Sequence, residues 1–307
     1  MTRRLRNTDP SLTHLITMRT NEAALWMVPS QSVNEIIGGI LARYQELLGI
    51  IIYCYSFQSN HYHLMARAPF GNLDEFEENI NREISKRMNR LRGRRGKFWA
   101  GRYHDQIVLN DSDQLSAYLY VTANPVKHGL VEHPNEWPGL SSYRQMLSGV
   151  SQTYSFTHYS KRDSNGTPTK SFHKLTLSPL PQFNGQSHAE QKRTILESIN
   201  AQSQRFRERR ERASQGFLGR KAVLDQRPGS IPKEISYSSR KSAYTVSNVR
   251  LKEFRESERL RHRRYHEASR HFRLGNLAVE FPSFCFHPPL QRTPRSEPFR
   301  PLPKVRQ

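Results

Sequence analysis

Within SFQSNHYHLMARAP, Ser56–Pro69, two histidines stand one residue apart in a run with the character of a strand. Side chains alternate along a strand, so His61 and His63 share a face, close enough to hold one ion between them, while Tyr62 points the other way. Further along, Tyr120 and Asn124 are four residues apart and share one face of a helix. The Asn124 amide oxygen could complete a metal site begun by two imidazoles. A tyrosine oxygen attacks phosphorus only when its proton leaves and the phosphate charge is neutralised. A divalent ion on His61, His63 and Asn124 would meet the second need.

Other readings of the same residues stay open. Two imidazoles on a sheet edge can be satisfied by backbone or water, since so short a pattern recurs by chance. A zinc hydrolase needs a third protein ligand and an open position for water, and no HExxH or CxxC accompanies the pair. Tyr118 is a rival nucleophile, Tyr120 could be packing, and Asn124 could cap a helix end. Arg94, Arg95 and Lys97 stand in a loop beside Phe98 and Trp99. That mixture neutralises phosphates and offers Trp99 as a stacking surface for DNA bases, unless the two aromatic residues are core.

The elements that must carry these groups fill about the first half of the chain. THLITMR, Thr13–Arg19, alternates like a strand, and Ala23–Pro29 reads as a partner arm in a hairpin. Val33, Ile36, Ile37, Ile40, Leu41, Tyr44, Leu47 and Leu48 have helical spacing, with Gly49 placed to stop the helix. Ile50–Phe57 is β-branched and aromatic, an inner strand, and after the QSN break the histidine strand returns as its hairpin partner. A second helix begins near Asn72, acidic at its start and basic at its end, as the helix dipole favours. A strand over Tyr103–Leu109 leads to a third helix, capped by Asn110 or Asp111 and closed by Pro125. This order is an α+β pattern, with an antiparallel sheet and helices packed mainly on one side.

Beyond about Ser148 the pattern weakens. Residues 149–186 read as a linker rich in Ser, Thr, Asn, Pro and Gly, and 187–307 as a basic, low-complexity extension. Its first part, HAEQKRTILESINAQSQRFRERRERAS, reads as a charged helix without an obvious core-facing stripe, VSNVRLKEFRESERLRHRRYHEASRHFRLG as another basic helix, and Phe281–Gln307 as disorder. The formal net charge is +21, and Ala201–Gln307 alone contributes +15 from 25 Lys/Arg and 10 Asp/Glu. Such a chain seeks polyanions, with salt-sensitive affinity rather than sequence choice. Hydrophobic residues make up 35%, too few for one core to fill the whole length. Cys54 and Cys285 are too few for a disulfide framework or a thiolate cluster, which fits a reducing cytoplasm, and no apolar run is long enough to span a bilayer.

SNHYHLMAR, GKFWAGRYHDQIVL and YVTANPVKHGLVEHPNEWPGLSSY together resemble the HUH single-tyrosine transposases, and within them the REP-associated tyrosine transposases. His61, Tyr62 and His63 match the histidines flanking a bulky residue, and Tyr120–Lys127 matches the Tyr-x-x-x-Asn-Pro-Val-Lys segment. The resemblance spans about Thr13–Tyr143. Near the first strand TMRTNEAALW stands where many relatives carry Arg-Gly-Asn.

The resemblance implies a ferredoxin-like sheet, the histidines on a central strand and the tyrosine helix laid across them. It also implies magnesium or manganese at His61, His63 and Asn124, and single-stranded, hairpin-forming DNA as the partner. Tyr120 would cleave that DNA through a 5′-phosphotyrosine and rejoin it without ATP. The segment Asn135–Tyr143 is expected to pack back on the domain. Two rivals remain: a domesticated, catalytically silent DNA-binding protein, and an RNA binder on a ferredoxin-like sheet, although HYHLMAR lacks the usual aromatic ribonucleoprotein pattern. Monomer or homodimer stays open.

Overall fold

The computed structural model describes residues 5–232 and 241–288. Pro10–Phe254 forms one compact unit, and Met1–Asp9 with Arg255–Gln307 a second. Among the described residues no helix is long and apolar enough to cross a membrane.

The larger unit starts as β1 (Thr13–Arg19), α1 (Gln31–Leu48), β2 (Ile51–Phe57), β3 (His61–Arg67), α2 (Leu73–Leu91) and β4 (His104–Val108). The strands lie in the order β2-β3-β1-β4, extended by a two-residue strand β7 (Ala243–Tyr244). The first four pair antiparallel and β7 joins β4 in parallel. Strand–helix–strand–strand–helix–strand in this spatial order is the ferredoxin-like arrangement that the resemblance implied.

Helix α1 starts where the Ser30 side chain accepts a hydrogen bond from Val33 N–H, and ends at Gly49 with φ 63°, a left-handed turn that glycine adopts without penalty. Its buried Val33, Ile37, Ile40 and Leu41 meet Ile16, Tyr62, Leu64, Phe76 and Ile84 in one core under the sheet. Each such side chain contributes roughly 1.5–3 kcal/mol by leaving water. Tyr62 fixes the histidine strand to this layer: its hydroxyl is 2.8 Å from Glu77 Oε2 and 3.0 Å from Asn81 Oδ1, both on α2.

The opposite face is also covered. There α3 (Asp111–Thr122) and α4 (Asn124–Lys127) lie over the sheet, followed by the short α5 (Tyr143–Ser148). Ala117, Tyr118 and Val121 pack on Leu15, Tyr53 and Met65. The segment before α5 packs back on β2: Ser142 N–H donates to Tyr55 O and Trp137 Nε1 to Phe57 O.

Several expectations need correction. Residues 23–29 form no strand; a single 3-10 turn at Asn21–Ala23 follows β1, whose neighbours are β3 and β4. The expected linker is largely a hairpin, β5 (Gln152–Arg162) with β6 (Pro168–Leu175), buried against α1 through Tyr154, Phe156 and Leu175. Its polar residues alternate with these apolar ones, so composition alone resembles a loop. After it, α6 (His188–Arg212) buries Ile195 and Ile199 on the α3 side, a stripe four residues in period, and α7 (Arg220–Leu224) buries Val223 against Val126, Val131 and Trp137. The domain therefore runs well past Ser148.

In the smaller unit, the later part of α8 (Asn248–Arg273) carries Tyr265 and Phe272, both in ring contact with Phe281. Phe281 is thus packed rather than loose; residues 289–307 of the expected disordered tail lie outside the described residues.

Candidate active site

Paired residues on neighbouring antiparallel strands share a face. His63 pairs with Thr17 on β1 and His61 with Arg19, so both histidines stand on the α3 face. Their ring centroids are 5.1 Å apart. Each ring is tied by Nδ1, His63 to Thr17 Oγ1 at 2.8 Å and His61 to Asn60 Oδ1 at 2.7 Å. The Asn60 oxygen can only accept, so His61 carries its proton on Nδ1 and keeps a lone pair on Nε2; donation from His63 Nδ1 to Thr17 does the same there. This is the arrangement in which imidazoles ligate metals.

Both rings stay neutral. Burial, then the charges of His128 and Arg19, push His61 down to about 3. Burial, then His61, His128 and Lys127, hold His63 well below the usual imidazole range. Neither loses its lone pair to a proton near neutrality.

Asn110 caps α3 by accepting from Asp113 N–H, and packing of Ala117, Tyr118 and Val121 on the sheet sets its rotation. Tyr118 and Tyr120 then point apart. Tyr118 is buried in the core, whereas Tyr120 is half-buried with its ring centroid 5.1 Å from that of His63. Lys127 Nζ lies 4.4 Å from the Tyr120 ring centroid. Burial and Tyr244 raise the Tyr120 hydroxyl above its ordinary range, with Asn124 opposing.

Asn124 is fully buried and opens α4; its amide makes no well-aligned hydrogen bond, yet it stands within side-chain hydrogen-bonding reach of both His61 and Tyr120. A buried carboxamide held only by poorly aligned contacts is under-satisfied, and a bound cation would give its oxygen a partner. Its influence reaches both His61 and Tyr120. Among the described residues no three His, Cys, Asp or Glu side chains form a metal cluster; the Asn124 oxygen is an additional donor within reach of the pair. The donor set fits: two neutral imidazoles suit manganese better than magnesium, and one amide oxygen suits either.

The basic loop divides. Arg95 and Lys97 are exposed. Arg94 stacks on Trp26, 4.3 Å from its ring centroid, and donates to Lys97 O. Trp99 is 9% exposed, packs on Tyr62 and Phe98, and donates Nε1–H to Asn81 O. The expected stacking role for Trp99 is therefore corrected to a core role. Ala100 N–H donates to Arg19 O, so the loop borders the histidine end of β1.

No family model matches the chain. It is 30% identical over 90 residues to the REP-associated tyrosine transposase of Escherichia coli, covering 29% of this chain and 53% of that one. It is 29% identical over 103 residues to a Haemophilus influenzae protein named for the same class, covering 30% and 58%. The chain is similar to REP-associated tyrosine transposases. It spans about half the length of these curated REP-associated relatives. A solved REP-associated tyrosine transposase, bound to a REP hairpin, matches at 21% identity with a TM-score of 0.39, over 48% of this chain and 84% of that one.

Four neighbours of the site escaped the sequence reading: Arg19, His104, His128 and Tyr244. Arg19 and His104 reach it through strand register, opposite His61 and Thr17 respectively. His128, 5.7 Å from His61 between ring centroids, had a signal in its position four residues after Asn124. Tyr244 comes from the expected extension, carried by β7 to within 6.1 Å of the Tyr120 ring.

Proposed function

We propose that the chain is a metal-dependent transposase that cleaves and rejoins single-stranded, hairpin-forming DNA through Tyr120, working in the cytoplasm where that DNA lies. The observation that carries this reading is the Tyr120 ring against His63, with the buried Asn124 amide reaching both Tyr120 and His61.

In this reading Tyr120 gives up its proton to water, aided by the Lys127 charge at its ring. Its oxygen forms a bond to phosphorus while the bond to the 3′ oxygen breaks. The product is a 5′-phosphotyrosine and a free 3′-hydroxyl, whose oxygen takes up a proton. Reversal on another 3′ end rejoins the strand and returns the phenol. His61, His63 and Asn124 would hold magnesium or manganese, which when bound neutralises phosphate charge and stabilises the leaving oxygen. Thr17 and Asn60 orient the two imidazoles for that task. Arg95 and Lys97 would neutralise neighbouring phosphates without reading bases.

The test is a denaturing gel of purified protein with manganese and a pool of labelled single-stranded hairpins from its gene neighbourhood. A covalent adduct should form in the wild type and in Tyr118→Phe, and vanish in Tyr120→Phe and His61→Ala. Binding without any adduct would replace this reading with that of a silent DNA-binding protein.

A further inference from the structure

On the sheet face away from His61 and Tyr120, β5 leaves α1 and passes over the end of α2. Between them lies an open groove of about 440 Å³. Guanidinium groups and rings alternate along it. Arg43 Cζ is 4.7 Å from the Phe156 ring centroid, and Arg87 Cζ is 4.0 Å from that same ring. Arg87 lies 5.1 Å and Arg90 4.1 Å from the Tyr159 ring. Two rings and three arginines thus make one ladder.

Its centre is structural. Arg87 is buried, bonds Glu83 at 3.1 Å, and donates to Thr157 O, which fastens the hairpin to α2. The ends are different. Arg90 and Lys86 are exposed, and Arg43 Nε is buried without an acceptor. Among the described residues Glu83 is the one carboxylate lining the groove, against Arg43, Lys86, Arg87 and Arg90. The field of this surplus reaches His158 on β5, whose imidazole is pushed down by burial first and then by Arg43, Lys161 and Arg87. Stacking on Tyr159 holds the exposed Arg90 guanidinium in place while leaving its N–H edge open, and such an edge matches the oxygens of a phosphodiester. Lys161, Arg162 and Lys170, all exposed toward the hairpin tip, continue the positive track.

We infer that this ladder is a second DNA-binding surface, which takes the phosphate backbone of nucleic acid held outside the Tyr120 site; the inference rests on the DNA partner proposed above. A backbone grip on the far face lets the chain keep hold of one part of a DNA while the tyrosine works on another. It reads charge and not sequence.

The test uses the full chain carrying Tyr120→Phe, so that no covalent product forms, and a fluorescein-labelled DNA hairpin with single-stranded flanks. Affinity is followed by anisotropy across a salt series. Lys86→Glu with Arg90→Glu reverses two exposed charges of the groove, and Arg193→Glu with Arg205→Glu reverses two exposed charges on α6. Both pairs change the net charge equally. The groove pair should weaken binding at least tenfold more than the α6 pair and lower the logarithmic salt slope by roughly 2, at about 0.9 for each phosphate no longer neutralised. If the parent binds and the groove pair loses no more than the α6 pair, the second surface is overturned and the Tyr120 reading stands. A parent that binds no DNA at low salt overturns both.

Discussion

Thr17 and His63 face each other across the β1–β3 ladder, with the threonine hydroxyl 2.8 Å from the imidazole Nδ1. The hydroxyl fixes the ring orientation and directs Nε2 into the site. Thr17→Val keeps the shape and removes that partner. We expect manganese affinity to fall by roughly 10- to 100-fold, as when the outer partner of a ligating imidazole is removed. Thr17→Ser should restore most of it. Calorimetric titration with manganese checks both, and equal affinities in all three proteins would show that the bond does not orient the ligand.

The histidines also make a pH prediction. His61 titrates at about 3 in the folded chain and His128 at about 4, while both take up protons near 6.5 once unfolded. Manganese affinity should therefore stay level from about pH 7.5 to 5.5, because the folded imidazoles remain neutral there. Stability of the metal-free protein should fall as pH drops below about 6.5, since only the unfolded chain gains those protons. Urea unfolding with a chelator present at neutral and mildly acid pH tests the sign, and His128→Gln should lose less stability than the wild type. A tenfold loss of manganese affinity over the first interval would mean ordinary imidazoles.

Tyr244 lies against the proposed nucleophile and is tied to its helix, with its hydroxyl 3.2 Å from Ser116 Oγ; Val246 N–H donates to Asp113 Oδ1 nearby. Tyr244→Ala opens Tyr120 to water and removes one cause of its raised ionisation. The Tyr120 phenolate should then appear at lower pH, read as the difference in phenolate absorbance between Tyr244→Ala and Tyr244→Ala/Tyr120→Phe. Tyr244→Phe keeps the ring that buries Tyr120 but removes the second phenol's charge, so its titration should fall between those of the wild type and Tyr244→Ala.

Trp99 and its loop neighbours should separate by what they lose. Trp99→Ala opens a cavity beside Tyr62 and should cost about 3–5 kcal/mol of stability. Trp99→Phe, which drops the bond to Asn81 O, should cost about 1 kcal/mol and leave DNA affinity unchanged. Arg95→Gln or Lys97→Gln should leave stability alone and lower the salt slope of DNA binding by about 1. Denaturant melts and anisotropy measure the two quantities on the same proteins.

Much of the site was legible because its signals are local. Alternation puts His61 and His63 on one face, and the four-residue spacing puts Tyr120 beside Asn124. The choice between Tyr120 and Tyr118 depended on the rotation of α3, which only packing sets: Tyr118 meets the core with Leu15 and Met65. Trp99 and Arg95 stand in one basic loop in the sequence, and burial separates them. Arg19, His104 and Tyr244 arrive through pairing between distant strands, for which one sequence carries no local mark. The hairpin at 152–175 did leave a mark elsewhere, in two adjacent glycines of α1.

Gly38 and Gly39 lower helix propensity in the middle of α1, by about 1 kcal/mol each relative to alanine. The fold explains them. A Cβ on Gly39 would lie 2.1 Å from Ser155 O, and one on Gly38 2.4 Å from the Tyr154 ring. The first obstacle is backbone and cannot swing aside, so α1 admits β5 only where side chains are missing. Gly39→Ala should thus lift the hairpin although it improves the isolated helix. We expect faster hydrogen exchange across β5 and β6 and lower thermal stability, with β1 and β3 protected as before. A Gly39→Ala protein as stable as the wild type, with unchanged exchange in the hairpin, would mean that β5 does not rest on α1.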